Sequence, residues 1–193
     1  MKKKVKKGTP GYLNYKLKAE IIRAILYFAI IAAVFLLGYS QTHSKENLLT
    51  VVAVVGCLPA CKVLVGIVTR LPYRSIDPEK AEDIRQKTEH LTVIYDLVVT
   101  SSEKIMPVEC IVISGDKIFG YVPSEKVDPD YAASHIKSIL AKNGFKGVSI
   151  KLFRQYTAFM ARAEGLNNIA AIEKDDTAEH EQKIAHLIQN ISL

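Results

Sequence analysis

Residues 24–40 read AILYFAIIAAVFLLGYS, an apolar run without a charge, and this stretch decides the architecture. With Ile21 and Ile22 in front of it, and Arg23 able to bend its head group toward water, the run approaches the roughly 20 residues that cross a bilayer. A cleavable leader is the competing reading and requires a small-residue cleavage site after the apolar run. Tyr39-Ser40-Gln41-Thr42-His43 offers a poor one, and a second apolar run, residues 48–69, follows at once. The expectation is therefore a transmembrane hairpin over residues 21–70, with spans at about 21–40 and 48–69.

The second run is irregular. Pro59 removes a backbone donor from the helix, which membrane bundles tolerate better than water does. Lys62 stands eight residues before Arg70, about 12 Å along a helix axis. An intramembrane lysine marks a functional candidate, set against simple snorkelling to the headgroups. Gly56 and Ala60 put small residues four apart on one face, a spacing that permits close helix packing, against the first helix or a second copy.

Charge orients the hairpin. Residues 1–23 carry Lys2, Lys3, Lys4, Lys6, Lys7, Lys16, Lys18 and Arg23 against one acid, Glu20. That surplus of seven exceeds the +6 of the whole chain, so residues 24–193 sum to −1. The loop of residues 41–47 holds one lysine, Lys45, and the exit has Arg70 and Arg74. Positive residues stay inside, so both termini are expected in the cytosol of a two-span cell-membrane protein. The basic segment of residues 1–20 reads as contact with an anionic inner leaflet. Tyr12, Tyr15, Tyr39 and Tyr73 fall where interfacial aromatics belong. Since the basic excess sits in one tail, nucleic acid is not an expected partner.

From residue 75 to 193 the composition is that of a soluble α/β (α+β) domain. Asp77-Pro78-Glu79 is a helix start, with Asp77 as cap and proline in the first turn. A polar helix to about His90 leads into an alternating strand over residues 91–100. Residues 108–113 and 118–122, around Gly115-Asp116-Lys117, complete an antiparallel meander. Asp128-Pro129-Asp130 opens a second helix that Asn143-Gly144 closes. Residues 148–153 form a fourth strand, 157–164 read as helix or hairpin, and Ile169–Ile172 as a short fifth strand. An amphipathic helix from Asp176 presents Ile184, Leu187, Ile188 and Ile191. The order is αβββαβ(β)α with a mixed sheet.

Chemistry is sparse. There is no Gly-rich phosphate loop and no metal-ligand spacing of histidine or cysteine. Cys57, Cys61 and Cys110 read as buried reduced thiols. His90, His135, His180 and His186 are scattered, and Glu173, Asp175 and Asp176 read as charge at a helix start. No cofactor is expected.

Glu109 is the one catalytic candidate. The order αβββαβ, the stretch Val108-Glu109-Cys110-Ile111-Val112-Ile113-Ser114, Lys117-Ile118-Phe119-Gly120-Tyr121 after it, and the helix end Ile139-Leu140-Ala141-Lys142-Asn143-Gly144 before the fourth strand resemble the nuclease-related domain family. That family has the restriction-endonuclease-like fold, and the resemblance covers about residues 78–190. It implies a divalent metal held by an acid on the second strand and a Glu-x-Lys on the third, because phosphodiester cleavage needs charge stabilisation and an activated water. Glu109 matches the first acid. The other two positions fall on Val122 and Ser124, while Glu125 and Lys126 are adjacent and would point to opposite faces. The catalytic Glu-x-Lys is missing. The expected function is a membrane-anchored, non-catalytic interaction or scaffold module, binding an unidentified protein or itself. A metal-dependent nuclease and an accessory subunit of a membrane complex are the alternatives.

Overall fold

A computed structural model describes residues 5–44, 46–173 and 177–193. The chain divides into two units, Leu13–Arg74 on the one hand and Met1–Tyr12 with Ser75–Leu193 on the other.

The first unit holds α1 (Tyr12–Thr42) and α2 (Leu48–Arg70), both long and apolar enough to cross a membrane. Only 11% of each apolar window is buried, so the helices expose their hydrocarbon surface rather than hide it in a core. α1 begins nine residues before the expected span. Pro10 and Gly11 (φ +85°) halt the chain, and the helix-favouring Lys16-Leu17-Lys18-Ala19-Glu20 then continues unbroken into the apolar run. Asn47 caps α2, its Oδ1 accepting the Thr50 N–H at 2.8 Å. The glycines give the pairing. A Cβ added at Gly38 would meet that of Leu49, one at Gly56 would meet Ile31 Cγ1, and one at Gly66 would meet Glu20 Oε2. As one number falls the other rises, so the helices run antiparallel.

The second unit is a three-layer sandwich. α3 (Pro78–Lys87) precedes β1 (Thr92–Thr100), β2 (Ile105–Ser114) and β3 (Lys117–Tyr121), which pair as an antiparallel meander. α4 (Pro129–Lys142) carries the chain to β4 (Ser149–Phe153), parallel to β3, and the sheet order is β1-β2-β3-β4. α5 (Tyr156–Glu173) and α6 (Ala178–Asn190) complete the unit. One sheet face is covered by Ala132, Ile136 and Leu140 of α4 with Ile184 and Ile188 of α6. The other meets Ala81 and Ile84 of α3 with Phe159, Met160, Ala163 and Leu166 of α5.

Asp77 and Asp128 cap α3 and α4 as the Asp-Pro pairs require, accepting from Glu79 and Asp130 at 3.1 and 3.0 Å. The fifth strand is a correction. Ile169–Ile172 belongs to α5, and the sheet has four strands among the described residues. Phe159, Met160, Ala163 and Leu166 supply a helical stripe, Ala158, Ala161, Ala170 and Ala171 favour helix, and Ile172 is 82% exposed. The ambiguous residues 157–164 are helical in the same element. Asp176, the expected start of the last helix, lies outside the described residues, and α6 begins after Thr177.

The N-terminal segment bonds to the α/β unit. Lys6 is exposed, but Lys7 Nζ donates to the Ser192 carbonyl at 2.6 Å, and Tyr95 N–H donates to the Gly8 carbonyl at 2.9 Å. From the C-terminus, Ser192 Oγ accepts the Val98 N–H and Leu193 N–H donates to the Val98 carbonyl. The free edge of β1 is thus covered by both ends of the chain, which removes an open edge that invites foreign strands.

Candidate functional site

β1 and β2 do not alternate as their sequence suggests. On β1, Ile94, Leu97 and Val99 join one core and Tyr95 the other; on β2, Val108 and Ile111 join the first core and Cys110 the second. Alternation therefore slips on both strands between Tyr95 and Leu97 and between Val108 and Cys110. Those steps are paired, Tyr95 with Cys110 and Leu97 with Val108, which sets Asp96 opposite Glu109. Asp96 has φ +55°, a left-handed conformation that aspartate tolerates better than most residues. It is 1% exposed, and its Oδ1 accepts the Ile76 N–H at 2.8 Å.

Glu109 is half-buried, and its Oε2 is fully enclosed without a hydrogen-bond partner. Burial pushes its carboxyl above the ordinary value; Lys80 opposes this, while Asp96 and Asp77 add to it. Burial likewise pushes the Cys110 thiol up.

Lys80, on the first turn of α3, stands over two aromatic rings, 5.5 Å from the Tyr121 centroid and 5.7 Å from that of Tyr156. Tyr156 donates its hydroxyl to Asp83 Oδ2 at 2.7 Å, which holds the Asp83 carboxyl below its usual range. The Tyr156 hydroxyl is pushed up by burial and then by that carboxylate. Lys87 bridges Asp83 at 3.1 Å and Glu164 at 3.2 Å, linking α3 to α5. The Tyr121 ring stacks on Phe159. Glu109 thus lies within electrostatic reach of a cation held by tyrosines and, in the opposite sense, of Asp96 and Asp77. None of Lys80, Asp83 or Tyr156 carried a sequence signal, since their meeting depends on α3 and α5 packing on one sheet face.

The positions expected for a catalytic Glu-x-Lys fall elsewhere. Val122 is 0% exposed in the core on the opposite sheet face, Ser124 is half-buried, and Glu125 and Lys126 are exposed in the turn after β3. Among the described residues no three histidine, cysteine, aspartate or glutamate side chains come together to hold a metal ion. The histidines are apart: His180 meets Asp116 at 3.0 Å, His186 meets Asn190, and His135 meets the Thr100 carbonyl. Glu173 ends α5, while Asp175 lies outside the described residues.

In the hairpin unit, Ala60 is 0% exposed and an added Cβ at Gly56 would lie 3.4 Å from Ile31, so this small face meets α1. Pro59, Lys62 and Cys61 are exposed and Cys57 is half-buried, so only Cys110 of the three thiols is buried. Lys18 and Arg23 are exposed and Lys16 is half-buried; Lys2, Lys3, Lys4 and Lys45 lie outside the described residues. One feature of the hairpin had no signal in the sequence. Arg70 Nη1 binds both carboxylate oxygens of Glu20, at 3.0 and 2.9 Å, and the Gly66 carbonyl at 3.2 Å. No family model, no curated protein and no solved structure matches the chain.

Proposed function

We propose that this chain is a two-span cell-membrane protein with both termini in the cytosol, and that its α/β domain is a non-catalytic interaction module held at the inner membrane face. The exposed apolar surface of α1 and α2 and the positive residues flanking them support the anchor and its orientation. One observation carries the module reading: the polar groups of α3 and α5 on this sheet face, Glu109 itself excepted, are engaged with one another. Lys80 rests on Tyr121 and Tyr156, and Tyr156 is committed to Asp83. A hydrolytic site instead keeps donors and charge free for the transition state. The partner is a protein or a second copy of the chain.

The full chain, purified in detergent after chemical crosslinking in its membrane, tests this reading. A specific crosslinked partner or a defined oligomer is expected. A strictly monomeric mass with recovery of the protein alone sinks it. Thiol labelling of a Ser44→Cys variant tests the topology: the loop reacts from outside the cell, and reaction from the cytosolic side alone reverses the orientation.

A second reading has its own support. The resemblance to the nuclease-related domain family in element order, with Asp96 opposite Glu109 on the paired strand, supports a metal-dependent nuclease with a relocated partner. Full-length protein assayed with Mg²⁺ and Mn²⁺ on single- and double-stranded substrates decides between them. Cleavage abolished by Glu109→Ala overturns the module reading.

A further inference from the structure

The antiparallel register of the hairpin changes the meaning of Arg23 and Lys62. Gly66 lies against Glu20, and Gly56 against Ile31. Arg23 therefore stands level with residues 63 and 64 of α2. Lys62 is at most two residues away, within about 3 Å along the pair axis at 1.5 Å per residue. The lysine is thus no isolated charge in mid-membrane. It stands at the depth of the last cation of α1.

Their flank follows from the contact line. Glu20, Ala24, Ile31 and Gly38 of α1 face Ala53, Gly56, Ala60, Gly66 and Arg70 of α2, by burial or by approach. Arg23 precedes the buried Ala24 by one residue, and Lys62 precedes the half-buried Val63 by one. Each is therefore turned by the same angle, in the same sense, from the contact line. In an antiparallel pair related by a local two-fold axis, equal turns place both side chains on the same flank.

Nothing in the hairpin neutralises them. Glu20 is the single acid on the two helices, and it is engaged by Arg70. Arg23 and Lys62 are exposed and have no hydrogen bond or ion pair among the described residues. A second copy would bring the same committed Glu20 and two more cations. Seven residues further toward mid-helix on the same strips, Ile30 of α1 and Val55 of α2 are apolar and exposed.

We infer that Arg23 and Lys62 form a binding site for the phosphate headgroup of an anionic lipid in the leaflet on the N-terminal side, with the acyl chains lying along the apolar flank. The inference rests on the hairpin spanning a membrane. Arginine forks onto phosphate oxygens while lysine adds a point charge, and the two together fix the headgroup at one depth.

The test uses the full chain in vesicles of equimolar phosphatidylcholine and phosphatidylglycerol. Resistance to alkaline extraction is scored first, and native mass spectrometry of the detergent-released protein then counts retained lipids. Failure of the wild type at the first step removes the membrane reading itself. If the chain is integral, the wild type retains phosphatidylglycerol in preference to phosphatidylcholine. Arg23→Gln and Lys62→Gln each lower that preference about fivefold, as expected for one basic residue at an anionic surface, and Lys62→Arg keeps it. Integral protein that retains both lipids equally, or a preference that survives both glutamine variants, overturns the site. Unchanged lipid retention with loss of a co-purifying membrane protein from Lys62→Gln also overturns it, and gives Lys62 to a protein carboxylate instead.

Discussion

Replacing Glu109 with glutamine should stabilise the α/β domain at neutral pH and leave it unchanged in acid. Ionised Glu109 buries charge at an Oε2 that has no hydrogen-bond partner, and an unsatisfied buried group costs about 1–3 kcal/mol, more when charged than when neutral. The Glu109 side chain is only half-buried and Lys80 attracts its charge, so the lower end applies, about 1 kcal/mol. The sign follows from the titration. Burial raises the folded-state carboxyl above its ordinary 4.5, so the protonated form fits the fold better than the ionised one. Stability is fully present below that ordinary value and is lost as pH rises through the raised one. Glutamine has the shape of the protonated acid and does not titrate. Urea unfolding of the full chain in detergent, followed by far-UV circular dichroism, should show no difference near about pH 4 and a mutant advantage of about 1 kcal/mol near about pH 8. In thermal melts this is a rise of about 4 °C for a domain of this size. A difference that is flat across pH, or a mutant weaker than wild type in mild alkali, refutes the burial argument. It would mean that Lys80 satisfies the carboxylate.

Gly120→Ala should cost about 1–3 kcal/mol in the same urea titration, because its Cβ would lie 2.5 Å from Leu152 Cδ2 and 3.2 Å from the Cys110 carbonyl, and the backbone cannot retreat as a side chain can. Asp96→Ala should lower stability by about 2–3 kcal/mol through loss of the bond from Ile76 N–H and the left-handed φ, whereas Asp96→Asn, which keeps both, should lose under about 1 kcal/mol. Arg70→Gln leaves Glu20 uncompensated in an ion pair whose side chains are only 18% and 12% exposed, and should destabilise the hairpin by about 3 kcal/mol; the double variant with Glu20→Gln should recover most of that loss, read as detergent-dependent thermal unfolding.

How much of this was legible follows from the range of the physics involved. Local signals sufficed for the two apolar helices, for the Asp77 and Asp128 caps, and for the meander around Gly115. Each is set by residues within a few positions of one another. The failures are of two kinds. Ile169 and Ile172 looked like strand because β-branched residues favour pleated surfaces, yet the stripe that buries α5 lies N-terminal to them. Asp96 and Glu109 looked like members of alternating strands, but both strands slip together, and only their pairing shows it. The Glu20–Arg70 pair joins positions 50 residues apart, and Lys80 meets Tyr121 and Tyr156 only through two helices on one sheet face. The resemblance picked out Glu109 by place in the strand order; its surroundings could come only from tertiary packing.

The N-terminal lysines show how one sequence feature can serve two physical ends. By charge alone they belong to the membrane surface, yet Lys7 donates to the Ser192 carbonyl and the adjoining Gly8 carbonyl accepts from Tyr95 on β1. The hairpin is therefore an insertion in the sequence of the α/β unit, placed between the segment that closes the β1 edge and the rest of the fold. Cutting the chain at residue 75 would leave the Tyr95 N–H unpaired on an edge strand and take Lys7 from the Ser192 carbonyl. The hairpin and the α/β domain are distinct compact units but are interleaved in sequence. A soluble fragment of residues 75–193 would lack part of its own sheet closure, so any activity or partner it failed to show would say little about the whole chain. That is why the tests of Glu109, of the partner and of the lipid site require the full-length protein.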